Sequence, residues 1–378
     1  MMQRYRYSER GVTSLIVVLF TTLLFVIVTV GFMQTMVVEQ RESADNELSR
    51  GAYDSALAGV EDGKRVLQAC MIDKVQSACD AITQGQTDCK TISDAGYVTE
   101  TNGEVFLKSN SSNGLTGQEY QQAYTCVKIS PFTKDYIGSA KADESVVIPL
   151  RTTAPMDKIT VSWFTSQDSS DKNNLKIDDA FNTNVTFPLK SVWLGNTPSV
   201  MRVQLIQFQD GKLNLDDLDQ NGDGHTLYLY PKKIGVGASF STDSRRIGSL
   251  SPTSVKCVSS FVASTYACTA DIDLPNPAGV GGSAANRVAY LRLTPLYNNA
   301  NFSVAPADGN VKFNALQPSI DSTGRAADVY RRVEARIELS DPNDAMLYPR
   351  ATVDTTSSFC KAFAITDNRN DYVNAVCN

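Results

Sequence analysis

The 378-residue sequence contains one histidine, His225, so any Ser-His-Asp or Cys-His mechanism, or a multi-histidine metal site, would have to be built around a single ring. None of its eight cysteines lies in a Cys-x-x-C pair, which removes the ligand spacing of zinc ribbons and thioredoxin-like motifs. No lysine- or arginine-rich stretch occurs after residue 11, and the net charge is −6. A surface built to neutralise phosphates is therefore not expected, and nucleic acid is not an expected partner. With 20% charged and 42% hydrophobic residues neither wholesale disorder nor a polytopic membrane protein is expected, and the length allows two or three domains or one large domain with appendages.

Charge is absent altogether from Val12 to Met33. At about 1.5 Å per residue this run covers the roughly 30 Å hydrocarbon core of a bilayer, which predicts a membrane helix. The preceding MMQRYRYSERG carries Arg4, Arg6 and Arg10 against Glu9, so the positive-inside rule keeps it cytoplasmic and exports the chain beyond residue 33. A secretory signal would have a shorter apolar core with a small-residue cleavage site after it. Here the small residue, Gly11, precedes the run.

Proline is also missing from Gln34 to Leu67, where Ala44, Leu48, Ala52, Ala56 and Val60 recur at i+4, with Leu67 two turns on. This predicts one helix from Val12 to Leu67, about 84 Å long. Gly51, Ser55, Gly59 and Gly63 form a second i+4 row. Glycine costs a helix up to about 1 kcal/mol per residue, so the row is best understood if another backbone approaches closely.

These features together resemble a type IV prepilin. The leader ending at Gly11 is similar to those that prepilin peptidase cuts after the glycine, methylating the new terminus, here Val12. Removing residues 1–11 takes away three positive charges and one negative, changing the net charge from −6 to −8. The E-Q-R of 39–41, N-E-L-S-R of 46–50, A-Y-x-x-A of 52–56 and A-x-x-G-x-E-D of 56–62 look like the amino-terminal region of PilX-type minor pilins. The resemblance covers residues 10–67. It implies a helix whose first half enters a filament core and whose second half packs under a globular head. It further implies a non-enzymatic minor pilin at the tip or in priming, held in the inner membrane before assembly and in the extracellular pilus afterwards. The implied partners are other pilin and minor pilin subunits, prepilin peptidase, the inner-membrane assembly platform, and a tip adhesin or a host or neighbouring cell surface. Major pilins carry glutamate at the fifth mature position, where this chain has Ile16; that absence suits a subunit with no earlier neighbour to neutralise. The alternatives are a type II secretion pseudopilin at the pseudopilus tip and a signal-anchored surface enzyme.

All eight cysteines come after the apolar run, and their even number suits disulfides in an oxidising compartment. Cys257 and Cys268 flank ten residues readable as a hairpin. Cys360 and Cys377 would close a carboxy-terminal loop, similar in placement to the disulfide-bounded region of many pilins. Cys70, Cys79, Cys89 and Cys126 permit three pairings, of which Cys79–Cys89 with Cys70–Cys126 is favoured. Each bridge is worth about 2–4 kcal/mol.

Beyond about residue 145 the hydrophobic period changes from 3.6 to 2. Strands are predicted at 146–151, 158–164, 201–208, 225–231, 287–293 and 333–339, separated by Asn, Asp, Gly, Ser and Pro clusters. The expected fold class is α+β, a pilin-like amino-terminal helix and then a large antiparallel, sandwich-like β head. The expected segments are a leader 1–11, a helical region 12–75 with its membrane part 12–33, a small cysteine-bearing segment 76–145, a β-rich head 146–345 and a disulfide-closed terminus 346–378. Between two predicted strands, LDDLDQNGDGHT (215–226) twice matches the calcium-loop pattern D-x-[DN]-x-[DN]-G. The candidate ligands are Asp217, Asp219, Asn221 and Asp223, and Ca²⁺ is the expected cofactor, with no organic cofactor. The twelfth position of either frame is Tyr228 or Tyr230, so a helix-flanked EF-hand is not expected. Trp163 and Trp193 are candidates for a sugar-stacking platform, against the commoner fate of core packing.

Overall fold

The structure, a computed structural model, describes residues 10–84, 89–107, 121–177, 187–209, 224–240, 252–262, 264–279 and 287–338. The fold is α+β: a long amino-terminal apolar helix and then sheets dominated by antiparallel pairing. The described chain divides into two compact units, one of residues up to Pro131 with Gln317–Glu338, the other Phe132–Leu316. These boundaries differ from the sequence segments: 76–145 is shared between the units, and the strand expected at 333–339 belongs with the helix.

The first unit is built on α1 (Arg10–Met71), a single helix of 62 residues. It contains the predicted span and overruns it at both ends. Its threonines are compatible with an apolar setting because their hydroxyls bond back into the helix: Thr21 Oγ1 donates to Val17 O at 3.0 Å, Thr29 Oγ1 to Phe25 O at 3.0 Å and Thr35 Oγ1 to Gly31 O at 3.1 Å. After α1 the chain reverses through Lys74, whose φ is 58°, with Val75 N–H donating to Ala69 O at 2.9 Å. It enters α2 (Gln76–Gln84), then α3 (Thr91–Asp94) and β1 (Val105–Phe106). β2 (Gln122–Thr133), β13 (Phe313–Ala326) and β14 (Val329–Arg336) complete a four-stranded sheet in the order β1-β2-β13-β14. In β14, half-buried Val333 and Ala335 alternate with exposed Arg332, Glu334 and Arg336, the expected period of two.

The second unit is a β-sandwich. One sheet runs β3-β12-β5-β10-β8, built from Tyr136–Ala140, Ala300–Pro306, Met156–Thr165, Tyr266–Ala278 and Ala238–Ser239. The other runs β4-β11-β6-β7-β9, from Val146–Pro149, Arg287–Leu296, Val200–Gln209, Gly224–Lys232 and Thr253–Lys256. All pairings within the two sheets are antiparallel except β8 on β10 and β9 on β7, which are parallel. Ile159, Val161 and Trp163 of β5 and Phe302 and Val304 of β12 share one core with Met201, Val203 and Leu205 of β6 and Leu291 and Leu293 of β11. Fully burying each such side chain contributes about 1.5–3 kcal/mol. At Phe164 a φ of 66° breaks the alternation, so that Trp163 and Phe164, consecutive in sequence, are both fully buried.

Candidate functional site

Two surfaces of α1 divide the labour of the first unit. From Leu15 to Val38 nearly every large apolar side chain is exposed, Phe25 by 70% and Leu24 by 66%. The helix is long and apolar enough to cross a membrane. So much exposed apolar surface needs an apolar partner, whether bilayer or other helices. Ile16, at the fifth position after Gly11, is part of this surface. Gly11 and Val12 lie in the first turn of α1.

From Gly51 onward the character changes. Gly51, Ala52, Ser55, Ala56, Gly59, Val60 and Gly63 are all buried, while Tyr53, Asp54 and Leu57 on the other side are exposed. The predicted stripe is thus buried from Ala52 downward, with Leu48 half-buried and Ala44 exposed. The row of small residues meets the sheet. A Cβ on Gly63 would lie 2.9 Å from Ile320 Cγ2, and one on Gly59 the same distance from Val127 Cγ2. Ile320, Ser322, Gly324 and Ala326 point alternately inward along β13: Ile320 fills the space left over Gly63, the three that follow are small, and a Cβ on Gly324 would overlap the backbone of Ala52 and Ala56. The close backbone approach expected from the glycine row is present. Its partner strand was hard to read as a strand because the inward positions after Ile320 are Ser322, Gly324 and Ala326, which give no run of large alternating apolar residues. Ser55 satisfies its buried hydroxyl by donating to Gly51 O at 2.7 Å.

Polar clamps flank this seam. Tyr124 Oη donates to Asp62 Oδ2 at 2.8 Å, and Arg65 Nη1 donates to Asp62 Oδ1 at 2.9 Å. Burial, then the hydrogen bond to the Asp62 carboxylate, push the Tyr124 phenol well above its ordinary range. Arg325 grips Glu104 with two bonds of 2.7 and 2.6 Å, and Arg331 Nη2 donates to Ser49 Oγ at 2.6 Å. Asp62 and Arg65 are joined by their i,i+3 spacing on α1, whereas Tyr124 with Asp62, Arg325 with Glu104 and Arg331 with Ser49 are far apart in sequence and are brought together by the sheet.

The disulfides correct the favoured pairing. Cys70 bonds Cys79 and Cys89 bonds Cys126. The reversal at Lys74 folds α2 back against α1 and brings Cys79 to Cys70, while Cys89 is held beside β2 by the bridge between Lys90 and Val127. Cys257 and Cys268 are bonded as expected, at an antiparallel bridge where Val258 N–H donates to Ala267 O at 2.8 Å. Cys360 and Cys377 lie outside the described residues.

Asp217, Asp219, Asn221 and Asp223 also lie outside the described residues. The described elements on either side of them are the antiparallel neighbours β6 and β7. His225, in β7 opposite Leu205, sits with its ring centroid 6.0 Å from that of Phe240. Trp163 and Trp193 form no common platform. Trp163 is fully buried and donates Nε1–H to Ser199 O at 2.8 Å. Trp193 stacks on Tyr297 at 4.5 Å and meets Tyr230 edge-on at 5.7 Å, walling an open groove of about 590 Å³ with Lys176, Lys233 and Thr197.

Compared with known protein families, with curated proteins and with solved structures, the chain has no significant match.

Proposed function

We propose that the protein is a minor pilin-like subunit of a type IV filament, anchored by the exposed half of α1 and presenting its β-rich head as an interaction surface. The observation that supports this reading is the division of one continuous helix into an exposed apolar half and a half seated on an antiparallel sheet through small residues on both sides. In a filament the exposed half would pack against the same half of neighbouring subunits, and Ile16 in place of an acid suits a tip or priming position. The head would carry Ca²⁺ in the connection between β6 and β7, through Asp217, Asp219, Asn221 and Asp223. Alternate oxygen-bearing side chains can converge there on a hard cation, with Gly222 or Gly224 permitting the turn.

The test is the amino-terminal residue and intact mass of the protein taken from its native membrane, with and without prepilin peptidase. A mature chain starting at N-methylated Val12 only when the peptidase is present is the expected result. Persistence of Met1 in both samples would overturn the filament reading.

A further inference from the structure

We propose that the outer face of the β4-β11-β6-β7-β9 sheet binds an oxyanion between Arg202 and Arg292, and that the head's ligand therefore presents a carboxylate, phosphate or sulfate group. The register places the two arginines together. Arg202 of β6 stands opposite Thr294 of β11, and Arg292 opposite Gln204, so the guanidinium-bearing residues are diagonal neighbours on adjacent strands. Both belong to the outer face, because Met201, Val203, Leu291 and Leu293, which alternate with them, lie in the sandwich core.

Two like charges side by side on one face are unfavourable without an intervening anion. Among the described residues neither guanidinium has a carboxylate partner. Arg202 donates from Nη2 to Thr294 Oγ1 at 3.2 Å, and that hydroxyl is also 2.9 Å from Ser145 Oγ. The Nε atoms of both arginines are buried without a hydrogen-bond partner, as is Oε1 of Gln204, the residue opposite Arg292. A buried donor without a partner is unfavourable, and here there are two on charged groups. Burial, and then the neighbouring Arg202, pull the Arg292 guanidinium below its ordinary range, the response of a cation lacking its counter-charge. A surface of this kind is not needed for folding, since an apolar or uncharged pair would satisfy the sheet without the repulsion. Two planar forks of donors on diagonal positions of adjacent strands suit an oxyanion, with Tyr228 opposite Arg202 on the other side.

The experiment is calorimetric titration of the full-length chain in detergent micelles at fixed ionic strength, with sodium phosphate and separately with sodium glucuronate. Saturable binding of one anion per chain is expected, weakened about tenfold or more in R202Q/R292Q. Phosphate binding at least as tightly as glucuronate identifies a site for a free anion or phosphate group; tighter glucuronate identifies an acidic sugar. Arg292→Lys keeps the charge and most of the packing but loses the fork, and an intermediate loss is expected; this variant carries the comparison if the double variant does not fold. In buffer without oxyanions, Arg292→Met is expected to raise the unfolding midpoint by removing the repulsion. Absence of saturable binding by either anion, or equal binding by wild type and Arg292→Lys, would overturn the proposal.

Discussion

Gly324 of β13 lies so close to α1 that a Cβ there would overlap the backbone nitrogen of Ala56. The atoms in the way are main-chain atoms of a continuous helix and cannot rotate aside. Gly324→Ala is therefore expected to destabilise the first unit by about 2–3 kcal/mol or more, as overpacking of a close-packed seam does. Gly309, in a turn with nothing within 4 Å of its Cβ position and no positive φ, is the control, and Gly309→Ala should leave stability nearly unchanged. Denaturant unfolding monitored by circular dichroism separates the two. Equal midpoints for both variants would show that helix and strand are not seated as described.

The link between Tyr124 and Asp62 makes a prediction with a sign. The phenol is held protonated in the folded protein, above the roughly pH 10 at which an unfolded tyrosine ionises. Below pH 10 both states keep the proton and the contribution is fully present. As pH rises beyond 10 the unfolded chain releases a proton that the folded chain retains, so stability falls. Tyr124→Phe should lower stability at neutral pH by about 1–2 kcal/mol, the value of the lost bond, and flatten the alkaline decline. Unfolding midpoints of wild type and variant between pH 7 and 11 check this. Parallel curves over that whole range would mean that Tyr124 titrates normally.

How far the fold could be read from the sequence depended on residue size. The six strands expected at 146–151, 158–164, 201–208, 225–231, 287–293 and 333–339 all correspond to β-strands because large apolar residues alternate in them or fill them. β10 gives a weaker signal although Ala270, Ile272 and Leu274 alternate with Asp271 and Asp273, since its inward residues begin small and two carboxylates interrupt them. β13 was hard to read for the physical reason that makes it important: where it runs closest to the helix it must be small, and after Ile320 its inward residues Ser322, Gly324 and Ala326 carry little hydrophobic signal. The glycine row on α1 was the readable half of that interface. Arg202 and Arg292 are 90 positions apart, and only the pairing of β6 with β11 makes them neighbours.

The exchanged cysteine pairing is directly checkable. Proteolytic mapping of the unreduced protein should recover peptides joined as Cys70–Cys79, Cys89–Cys126 and Cys257–Cys268, and none joined as Cys70–Cys126. The Cys89–Cys126 bridge closes the longer loop, 37 residues against 9, so a C89S/C126S variant should lose more stability than C70S/C79S. In the loop-entropy account the former loss is about 3–4 kcal/mol and the latter somewhat smaller. The reverse order would indicate that the α1–α2 reversal, and not the tie to β2, holds the unit together.

The calcium reading rests on residues between β6 and β7, and its consequence should appear in the stability of the sandwich. Several carboxylates within one short connection repel one another without a cation, and an ion bound to the folded chain stabilises it by mass action. Extracellular calcium modules bind at about 10⁻⁴–10⁻³ M, so 10 mM Ca²⁺ should add about 1.4–2.7 kcal/mol over a chelator-treated sample. Asp219 belongs to both overlapping frames of the motif, which makes Asp219→Ala the most informative variant. It should abolish the calcium-dependent rise in unfolding midpoint while leaving the midpoint in chelator unchanged or slightly higher, because a repelling charge has gone. Magnesium, which demands octahedral geometry and dehydrates reluctantly, should substitute poorly. A midpoint that ignores Ca²⁺ in the wild-type chain would reduce the motif to a polar turn, leaving the strand pairing of β6 and β7 to hold the connection by itself.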